Sequence, residues 1–429
     1  MKALLSTQLQ QHTERVFLVG VVLKQQRPGE VEESLDELQD LARTAGGEVV
    51  GRATQRLDHP HPATYLGRGK AEELALICRA EEVDTVIFDD ELTPAQGRNL
   101  ERLFECKILD RTSLILDIFA QRARTREGKL QVELAQLRHL LPRLTRYWTH
   151  LSRQKGGIGM RGGEGETQLE ADRRRVMERI DRLRRELEEV RRQRDTQRAG
   201  RQRRLWPLAS LVGYTNAGKS TLFNALTGAS VLQEDQLFAT LDPTTRRLQL
   251  PTNQNVLLSD TVGFIRKLPH QLVEAFKATL DEVVQADLLL HVVDVTAPRA
   301  EEQAAAVQTV LEEMSVAGKP TLMVLNKMDL LPPGRGVEGW LARHPGAVPV
   351  SARTRAGFGD LLAELGTRLR PVRDYVELVI PHDQAALIAR LHEVGQVVEQ
   401  KFDGHAGRFK VRLPPHCRAE FAHCIRRDL

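Results

Sequence analysis

The chain of 429 residues is long enough for about two to four domains, and its 41% hydrophobic and 28% charged content is typical of a water-soluble globular protein. No apolar run approaches the roughly 20 residues that a membrane span requires, and the first residues lack the apolar core of a signal peptide. The cysteines, Cys78, Cys106, Cys417 and Cys424, show no metal-ligand spacing. We therefore expect a cytoplasmic, monomeric protein with reduced thiols, no membrane span and no cysteine-ligated metal.

The basic residues are concentrated in one segment. Residues 122–204 contain 24 Lys and Arg against 12 Asp and Glu, although the whole chain has a net charge of only +4. Arginine outnumbers lysine in this segment by 22 to 2, and its planar guanidinium suits bidentate contact with phosphate. This distribution predicts a surface that binds nucleic acid. The alternative is a solvated helix face covered by salt bridges.

Residues 1–112 are predicted to form an N-terminal α/β domain. Apolar runs at Val16–Leu23 and Thr85–Phe88 predict strands, and helical spacing over Glu32–Ala45 predicts a helix between them. Another helix is expected to begin near Thr93, directly before Pro94. This alternation of strands and helices is typical of an α/β domain.

Residues 113–204 are predicted to form a basic antiparallel helical hairpin. Apolar side chains recur at heptad spacing in two stripes, which comprise Leu130, Leu134, Leu137, Leu141, Leu144, Trp148 and Leu151, and then Leu169, Val176, Ile180, Leu183, Leu187 and Val190. Pro142 should kink the first helix. A glycine-rich tip at 156–167 joins the helices, and Thr167 followed by Glu170 predicts the N-cap of the second. Such a tip suits insertion into a narrow site; the alternative is a merely flexible turn.

Residues 205–371 are predicted to form a P-loop GTPase domain. The sequence Gly213-Tyr-Thr-Asn-Ala-Gly-Lys-Ser220 lies between an apolar strand and a predicted helix, so its backbone N–H groups would face an anion at a helix N-terminus. Lys219 is predicted to reach the β- and γ-phosphates of a nucleoside triphosphate. The Ser220 hydroxyl is predicted to bind Mg²⁺.

A second motif is expected to complete the Mg²⁺ and γ-phosphate site. Asp260 ends a predicted strand and should hold Mg²⁺ through water, and the Gly263 N–H should contact the γ-phosphate. A hydroxyl from the preceding loop must complete the Mg²⁺ shell. We assign this role to Thr240, with Thr244 and Thr245 as alternatives.

Phe264 occupies the position where many GTP hydrolases have a glutamine that orients the attacking water. A phenylalanine side chain cannot orient water. We therefore expect hydrolysis to be slow without help from elsewhere in the chain, a cation or a partner.

A third motif, Asn326-Lys-Met-Asp329, predicts that the bound base is guanine. The Asp329 carboxylate can accept hydrogen bonds from the guanine N1–H and N2–H₂ groups, a donor pair that adenine lacks. Ser351 and Ala352 follow a further strand and are expected to reach the guanine O6 through a backbone N–H.

The predicted site collects residues from all of these motifs. The predicted nucleotide-binding residues are Gly213, Tyr214, Thr215, Asn216, Ala217, Gly218, Lys219, Ser220, Thr221, Phe238, Ala239, Thr240, Leu241, Asp242, Asp260, Thr261, Val262, Gly263, Asn326, Lys327, Met328, Asp329, Ser351, Ala352 and Arg353. The predicted catalytic residues are Lys219, Thr240 and Gly263. The predicted Mg²⁺ ligands are Ser220, Thr240 and, through water, Asp260.

Residues 372–429 are predicted to form a small α+β module. Apolar alternation predicts strands at 376–380 and 408–413, and a helix is expected over 384–400. Nothing in the sequence of this module indicates chemistry.

Several long motifs resemble those of one family, the HflX ribosome-associated GTPases of the Obg–HflX group. They are Gly156-Gly-Ile-Gly, Gly165-Glu-Thr-Gln-Leu-Glu170, and the segments 213–224, 238–243 and 260–266. The resemblance implies a cytoplasmic GTPase that binds the large ribosomal subunit and splits stalled ribosomes under stress, with its glycine-rich tip directed at the peptidyl-transferase centre. The tip departs from the family pattern, because Arg161-Gly-Gly-Glu-Gly-Glu166 has one extra residue and no proline.

Asn216 resembles an asparagine of those GTPases in which K⁺ supplies the charge of an arginine finger. Activation by K⁺ is therefore a hypothesis, and an ordinary turn residue is the alternative.

The main functional hypothesis is a GTP-hydrolysing switch that holds ribosomal RNA while GTP orders Thr240 and Gly263. Two alternatives remain open at this point. One is a non-catalytic, GTP-gated assembly or anti-association factor of the large subunit, and the other is an RNA-remodelling ATPase.

Overall fold

The computed structural model describes residues 13–27, 29–144, 164–202, 206–229, 237–267, 281–314, 316, 318–332, 336–369, 374–404, 406–413 and 417–428. The chain divides into two compact units. One comprises Met1–Leu187 with Pro269–Ala275, and the other comprises Glu188–Leu268 with Phe276–Leu429. This division is coarser than the four predicted domains, whose boundaries remain predictions.

A parallel sheet forms the core of the first unit. Its strands are β1 (Arg15–Leu23), β2 (Glu48–Leu57), β3 (Thr85–Phe88) and β4 (Lys107–Asp110), in the order β2-β1-β3-β4. The connecting helices are α1 (Glu30–Thr44), α2 (Arg68–Ala80) and α3 (Pro94–Phe104). Helix α3 begins as predicted, because Thr93 and Gln96 form a reciprocal capping box and Pro94 occupies the first turn.

Three further helices continue the first unit along the chain. They are α4 (Arg111–Arg122), α5 (Arg126–Leu144) and α6 (Glu164–Gln202), of which α6 extends past the unit boundary. Among the predicted stripe positions, the buried ones are Leu130 and Leu134 on α5 and Ile180, Leu183 and Leu187 on α6. The Arg179 guanidinium donates to both carboxylate oxygens of Glu133, at 2.7 and 2.9 Å, which joins the two arms of the hairpin. Trp148, Leu151 and the glycine-rich tip up to residue 163 lie outside the described residues.

The predicted N-cap at Thr167 is wrong. Helix α6 begins at Glu164, so Thr167 lies inside the first turns rather than at the start.

The second unit contains a six-stranded sheet of the P-loop type. Its strands are β5 (Leu208–Gly213), β6 (Thr244–Gln249), β7 (Asn255–Asp260), β8 (Leu288–Asp294), β9 (Thr321–Asn326) and β10 (Val348–Pro349), in the order β10-β9-β8-β5-β7-β6. Only β6 pairs antiparallel to its neighbour. The described helices around it are α7 (Lys219–Thr227), α8 (Asp281–Gln285), α9 (Ala300–Glu313), α10 (Glu338–Arg343) and α11 (Phe358–Arg368).

The predicted motifs follow the carboxyl ends of parallel strands in this sheet. The phosphate loop follows β5, Asp260 ends β7, Asn326 ends β9, and Ser351 lies just beyond β10. Because these strands are parallel, their carboxyl ends meet at one edge, where ligands bind in open α/β sheets.

The C-terminal module is a four-stranded antiparallel sheet with one helix. Its elements are β11 (Asp374–Pro381), α12 (Ala385–Val394), β12 (Gln396–Asp403), β13 (Ala406–Leu413) and β14 (Ile425–Asp428), and the strand order is β12-β13-β11-β14. The helix predicted over 384–400 is therefore wrong beyond Val394. Residues 396–403 instead pair with β13, because tertiary hydrogen bonding overrides a local helical pattern.

We also searched the described helices for a membrane span. None of them combines the length and the apolar character that crossing a bilayer requires.

Candidate nucleotide-binding site

A cavity of about 590 Å³ lies at the carboxyl edge of the six-stranded sheet. It is lined by Thr215, Asn216, Gly218, Lys219, Ser220, Thr221, Phe238, Ala239, Thr240, Thr261, Gly263, Asn326, Lys327, Asp329, Leu330, Ala352 and Arg353. Every lining residue except Leu330 is a predicted site residue. The structure therefore brings together side chains that are more than a hundred residues apart in sequence.

The remaining predicted residues lie around this cavity rather than on its wall. They are Gly213, Tyr214, Ala217, Leu241, Asp242, Asp260, Val262, Met328 and Ser351. Leu241 is part of the buried core, and the Ser351 hydroxyl accepts from the Thr354 N–H. These two residues therefore support the loops that form the wall.

Two glycines permit the close path of the phosphate loop. Gly218 has a φ of +87° and Gly213 a φ of +153°, both in regions that residues with a side chain rarely adopt. A Cβ on Gly218 would collide with the Asn326 side chain, and one on Gly213 would collide with the Val292 carbonyl. The loop can therefore approach β8 and the Asn326 side chain only because these positions are glycine.

Lys219 is held inside this loop, with only 6% of its surface exposed. Its ammonium group donates to the carbonyl oxygens of Gly213 at 3.1 Å and Tyr214 at 2.8 Å. Burial lowers the pKa of Lys219 to about 8, and the charge of Asp260 opposes this shift. A buried cation at the wall of an open cavity is suited to bind an anionic phosphate.

The lowered pKa of Lys219 predicts that GTP binding takes up a proton in mild alkali. A triphosphate beside the ammonium group should raise this pKa again, so the affinity for GTP should fall by up to about tenfold per pH unit as the pH rises above 8. Calorimetry in two buffers of different ionisation enthalpy would measure the proton uptake. Lys219→Met is the control, because it has no ammonium group to protonate. Absence of proton uptake when the unchanged protein binds GTP would contradict this role of Lys219.

Three oxygens converge beside Lys219. The Ser220 hydroxyl donates to Asp260 Oδ2 at 2.7 Å, and the Thr240 hydroxyl lies 2.8 Å from Ser220 Oγ and 3.1 Å from Asp260 Oδ2. Asp260 is fully buried, its Oδ1 has no hydrogen-bond partner, and burial raises its pKa. Mg²⁺ prefers such oxygen ligands, so the donor set fits the predicted ion, with Ser220 and Thr240 as ligands and Asp260 next to it.

The structure separates Thr240 from its two rivals. Thr244 and Thr245 open strand β6, and the Thr245 hydroxyl donates to Ser259 Oγ rather than to the Ser220–Asp260 pair. Only Thr240 lies beside both predicted metal ligands. Its metal role remains a prediction, but its position supports the choice.

Asn326 joins two loops at the other end of the cavity. Its side-chain amide donates to the Ala217 carbonyl at 2.9 Å, and its Oδ1 accepts from the Ala352 N–H at 3.0 Å. This asparagine is buried, whereas Asp329 is exposed on the cavity wall. Within this motif, Asn326 fixes the two loops relative to each other, and the exposed Asp329 carboxylate is available to bind a base.

Sequence reasoning missed the partner of Lys327. Its ammonium group lies 2.8 Å from Asp294 Oδ2 at the end of β8, which holds the aliphatic stem of Lys327 beside the cavity. The only sequence signal for Asp294 is that an acidic residue directly follows a buried apolar strand.

Phe264 is held by its backbone. Its carbonyl accepts from the Thr215 N–H at 2.7 Å, its N–H donates to the Gly213 carbonyl at 3.1 Å, and its side chain is buried. The next turn is fixed as well, because the Tyr214 hydroxyl accepts from the Arg266 N–H at 2.8 Å. The segment after Gly263 is therefore hydrogen-bonded to the phosphate loop.

Comparison with known proteins identifies the class of this site. Residues 32–120, 122–201 and 209–327 match family models described as GTP-binding GTPase N-terminal, GTP-binding GTPase Middle Region and 50S ribosome-binding GTPase. GTPase HflX of Escherichia coli is 49% identical over 94% of each chain, and GTPase HflX of Magnetococcus marinus is 52% identical over 85% of this chain and 84% of the relative. The chain belongs to the HflX GTPase family.

Membership of the HflX family confirms two predictions. The protein is a GTPase, and its fold combines N-terminal HflX domains with a P-loop GTPase domain. A solved GTP-binding protein of Sulfolobus solfataricus in complex with GDP aligns with 83% of this chain and 99% of its own, at 26% identity and a TM-score of 0.44. That overall similarity is too low to carry a structural argument.

Proposed function

We propose that this HflX-family GTPase is a molecular switch that binds the large ribosomal subunit and dissociates stalled ribosomes under stress. The observation that carries the proposal is the concentration of exposed arginine on the helical hairpin of a GTPase. The description of the matched family model as a 50S ribosome-binding GTPase supports the same partner. Such a partner would place the protein in the cytoplasm, and we propose that it acts there as a monomer.

The charge of the hairpin is available to phosphates. Arg173, Arg174, Arg182 and Arg185 on α6 are exposed. The ion pairs that neighbouring arginines form along the helix, such as Arg184 with Asp181 at 3.4 Å, are surface pairs that contribute little. Phosphate groups can therefore compete for these guanidinium groups, which favours ribosomal RNA over a merely solvated surface.

Two of the proposed catalytic residues lie next to each other on the cavity wall. A Cβ on Gly263 would lie 2.9 Å from the Lys219 ammonium nitrogen, so the two residues are close neighbours. We propose that Lys219 and the Gly263 N–H stabilise the negative charge of the γ-phosphate while water attacks its phosphorus and the bond to the β-phosphate oxygen breaks. Bound Mg²⁺ would neutralise charge on the same phosphates.

Loss of the γ-phosphate would release Thr240 and Gly263 and so end the ribosome-binding state. Sedimentation with purified large subunits tests this switch. The protein should pellet with subunits when a non-hydrolysable GTP analogue is bound, and remain in the supernatant with GDP. Equal association in both states would contradict the switch, and negligible turnover even with ribosomes would favour a non-catalytic assembly or anti-association factor.

We also propose that K⁺ accelerates hydrolysis through Asn216. This residue lines the cavity, is exposed, and has a φ of +59°. Turnover should be higher in K⁺ than in Na⁺ of equal concentration, because an added charge near the γ-phosphate can replace part of an arginine finger.

Asn216→Gly is the suitable variant to test the K⁺ effect. Glycine tolerates the left-handed backbone of this position and removes the whole carboxamide side chain, including the oxygen that would meet K⁺. The variant should bind GTP but lose the difference between K⁺ and Na⁺. Turnover of the unchanged protein that is equal in the two salts would rule the K⁺ proposal out.

A further inference from the structure

The C-terminal sheet has one face that packs and one that is open. On β13, Phe409 and Val411 are buried in the core of the module together with α12, whereas Arg408 and Arg412 are exposed. Side chains alternate between the two faces of a strand, so the basic residues of β13 share the open face.

Strand register brings further polar groups to the open face. On β11, Tyr375 lies opposite Arg412, and Glu377 lies opposite Lys410. On the other side of β13, Lys401 of β12 lies opposite Arg408. The two central strands of the sheet, β13 and β11, therefore place Arg412 beside the Tyr375 ring, and Arg408 lies further along β13, opposite Val379.

The charge of this face is positive after its ion pairs are considered. Its cations are Lys401, Arg408, Lys410, Arg412 and Arg427, and its carboxylates are Glu377, Glu399 and Asp403. Glu399 binds Lys410 at 2.6 Å and Lys401 at 2.9 Å, and Glu377 binds Arg427 at 2.6 Å. Arg408 has only a 3.7 Å contact with the exposed Asp403, and such pairs are weak. The uncompensated charge therefore lies around Arg408 and Arg412.

An aromatic group accompanies this charge. The Arg412 guanidinium carbon lies 5.9 Å from the centre of the Tyr375 ring, and the ring is half-buried. Unpaired nucleic-acid bases stack on aromatic rings and on guanidinium planes, and neighbouring cations contact the phosphates between them. An acidic protein partner would use the cations but would have no need of the ring.

We propose that this open face, centred on Arg408, Arg412 and Tyr375, binds a single-stranded RNA segment. A base stacks on Tyr375, and the two arginines contact the adjoining phosphates. That this RNA is ribosomal depends on the proposed function, whereas the ability of the face to bind single-stranded RNA does not. The site is also distinct from the hairpin arginines on which that function depends.

Photochemical crosslinking of the full chain to a short oligouridine that carries one iodouridine tests the site. Mass spectrometry should map a crosslink to Tyr375. The double variant Arg408→Gln/Arg412→Gln keeps the ring but removes the phosphate contacts, so the crosslink should be lost. The slope of log affinity against log salt should also become shallower by about 1.4, which is the value for two phosphate contacts on a single strand.

Two control variants separate the possible outcomes. Arg390→Gln removes a charge from α12, which packs against the buried face of the sheet, and should leave the crosslink unchanged. Arg173→Gln/Arg174→Gln on the hairpin should weaken binding to the large subunit but retain the crosslink. A failed sedimentation experiment with an intact Tyr375 crosslink would thus overturn only the ribosome proposal.

The absence of a Tyr375 crosslink, together with an unchanged salt slope in the Arg408→Gln/Arg412→Gln variant, would overturn the RNA site. The RNA site would also be overturned by a second result. If the unchanged protein gives no crosslink to RNA but binds an acidic ribosomal protein, and the Arg408→Gln/Arg412→Gln variant loses that binding, this face is a protein-docking surface.

Discussion

Lys219→Met should abolish GTP turnover and strongly weaken GTP binding while the protein stays folded. The side chain keeps its length but loses the ammonium group that contacts two loop carbonyls and lies at the phosphate end of the cavity. Charge-assisted hydrogen bonds contribute about 1.5–3 kcal/mol each, so affinity should fall at least tenfold. Loss of charge stabilisation in the transition state should remove a further factor of about 10² or more from the rate.

The stability of the Lys219→Met variant provides the control. Burial lowers the pKa of Lys219, which means that folding disfavours its charged form. Removal of the charge should therefore leave the thermal unfolding temperature unchanged or raise it, in contrast to most substitutions of buried residues. Isothermal titration with GTP, single-turnover kinetics and a melting curve together test the assignment. Unchanged turnover in a folded variant would refute the whole site.

Asp329→Asn should change the base specificity of the enzyme from guanine to xanthine. The exposed Asp329 carboxylate lines the cavity and can accept from the guanine N1–H and N2–H₂ groups. An asparagine offers donors there instead, which fit the O2 acceptor of xanthine. A site that depends on such hydrogen bonds rejects the wrong partner by about 10⁴, so GTP turnover at low substrate concentration should fall by this order.

Recovery of turnover with xanthosine triphosphate is the internal control, because a misfolded variant could not regain activity with a different base. ATP should remain a poor substrate for both proteins, since adenine lacks the donor pair that Asp329 requires. If the Asp329→Asn variant turned over GTP as fast as the unchanged protein, or if the unchanged protein bound GTP and ATP equally well, Asp329 would not determine the base specificity.

The nucleotide site could be predicted in detail because its chemistry depends on local sequence. A phosphate loop needs glycine where φ is positive, as at Gly218, and a lysine at the start of the following helix. These requirements act within a few residues, so they are visible in the chain itself. Spacing alone does not decide which threonine is the predicted Mg²⁺ ligand, because Thr240, Thr244 and Thr245 lie within six residues of one another. The contacts of Thr240 with Ser220 and Asp260 distinguish it from the other two.

The wrong predictions concern elements whose ends depend on partners far along the chain. Residues 396–403 have a locally acceptable helical pattern, yet they form β12 because they pair with β13 along most of its length. Similarly, Thr167 has the capping signature, but the helix already includes the residues from Glu164 onward.

By itself, the sequence determined the GTPase class, the motif order along the chain and the basic character of the hairpin, because glycine conformation, charge and hydrophobic period act over short distances. The tertiary structure alone decided which hydroxyl meets Asp260, that Asn326 joins the phosphate loop to Ala352, and that Arg412 lies beside Tyr375. These arrangements depend on strand order and register, which bring residues together only after the chain has folded.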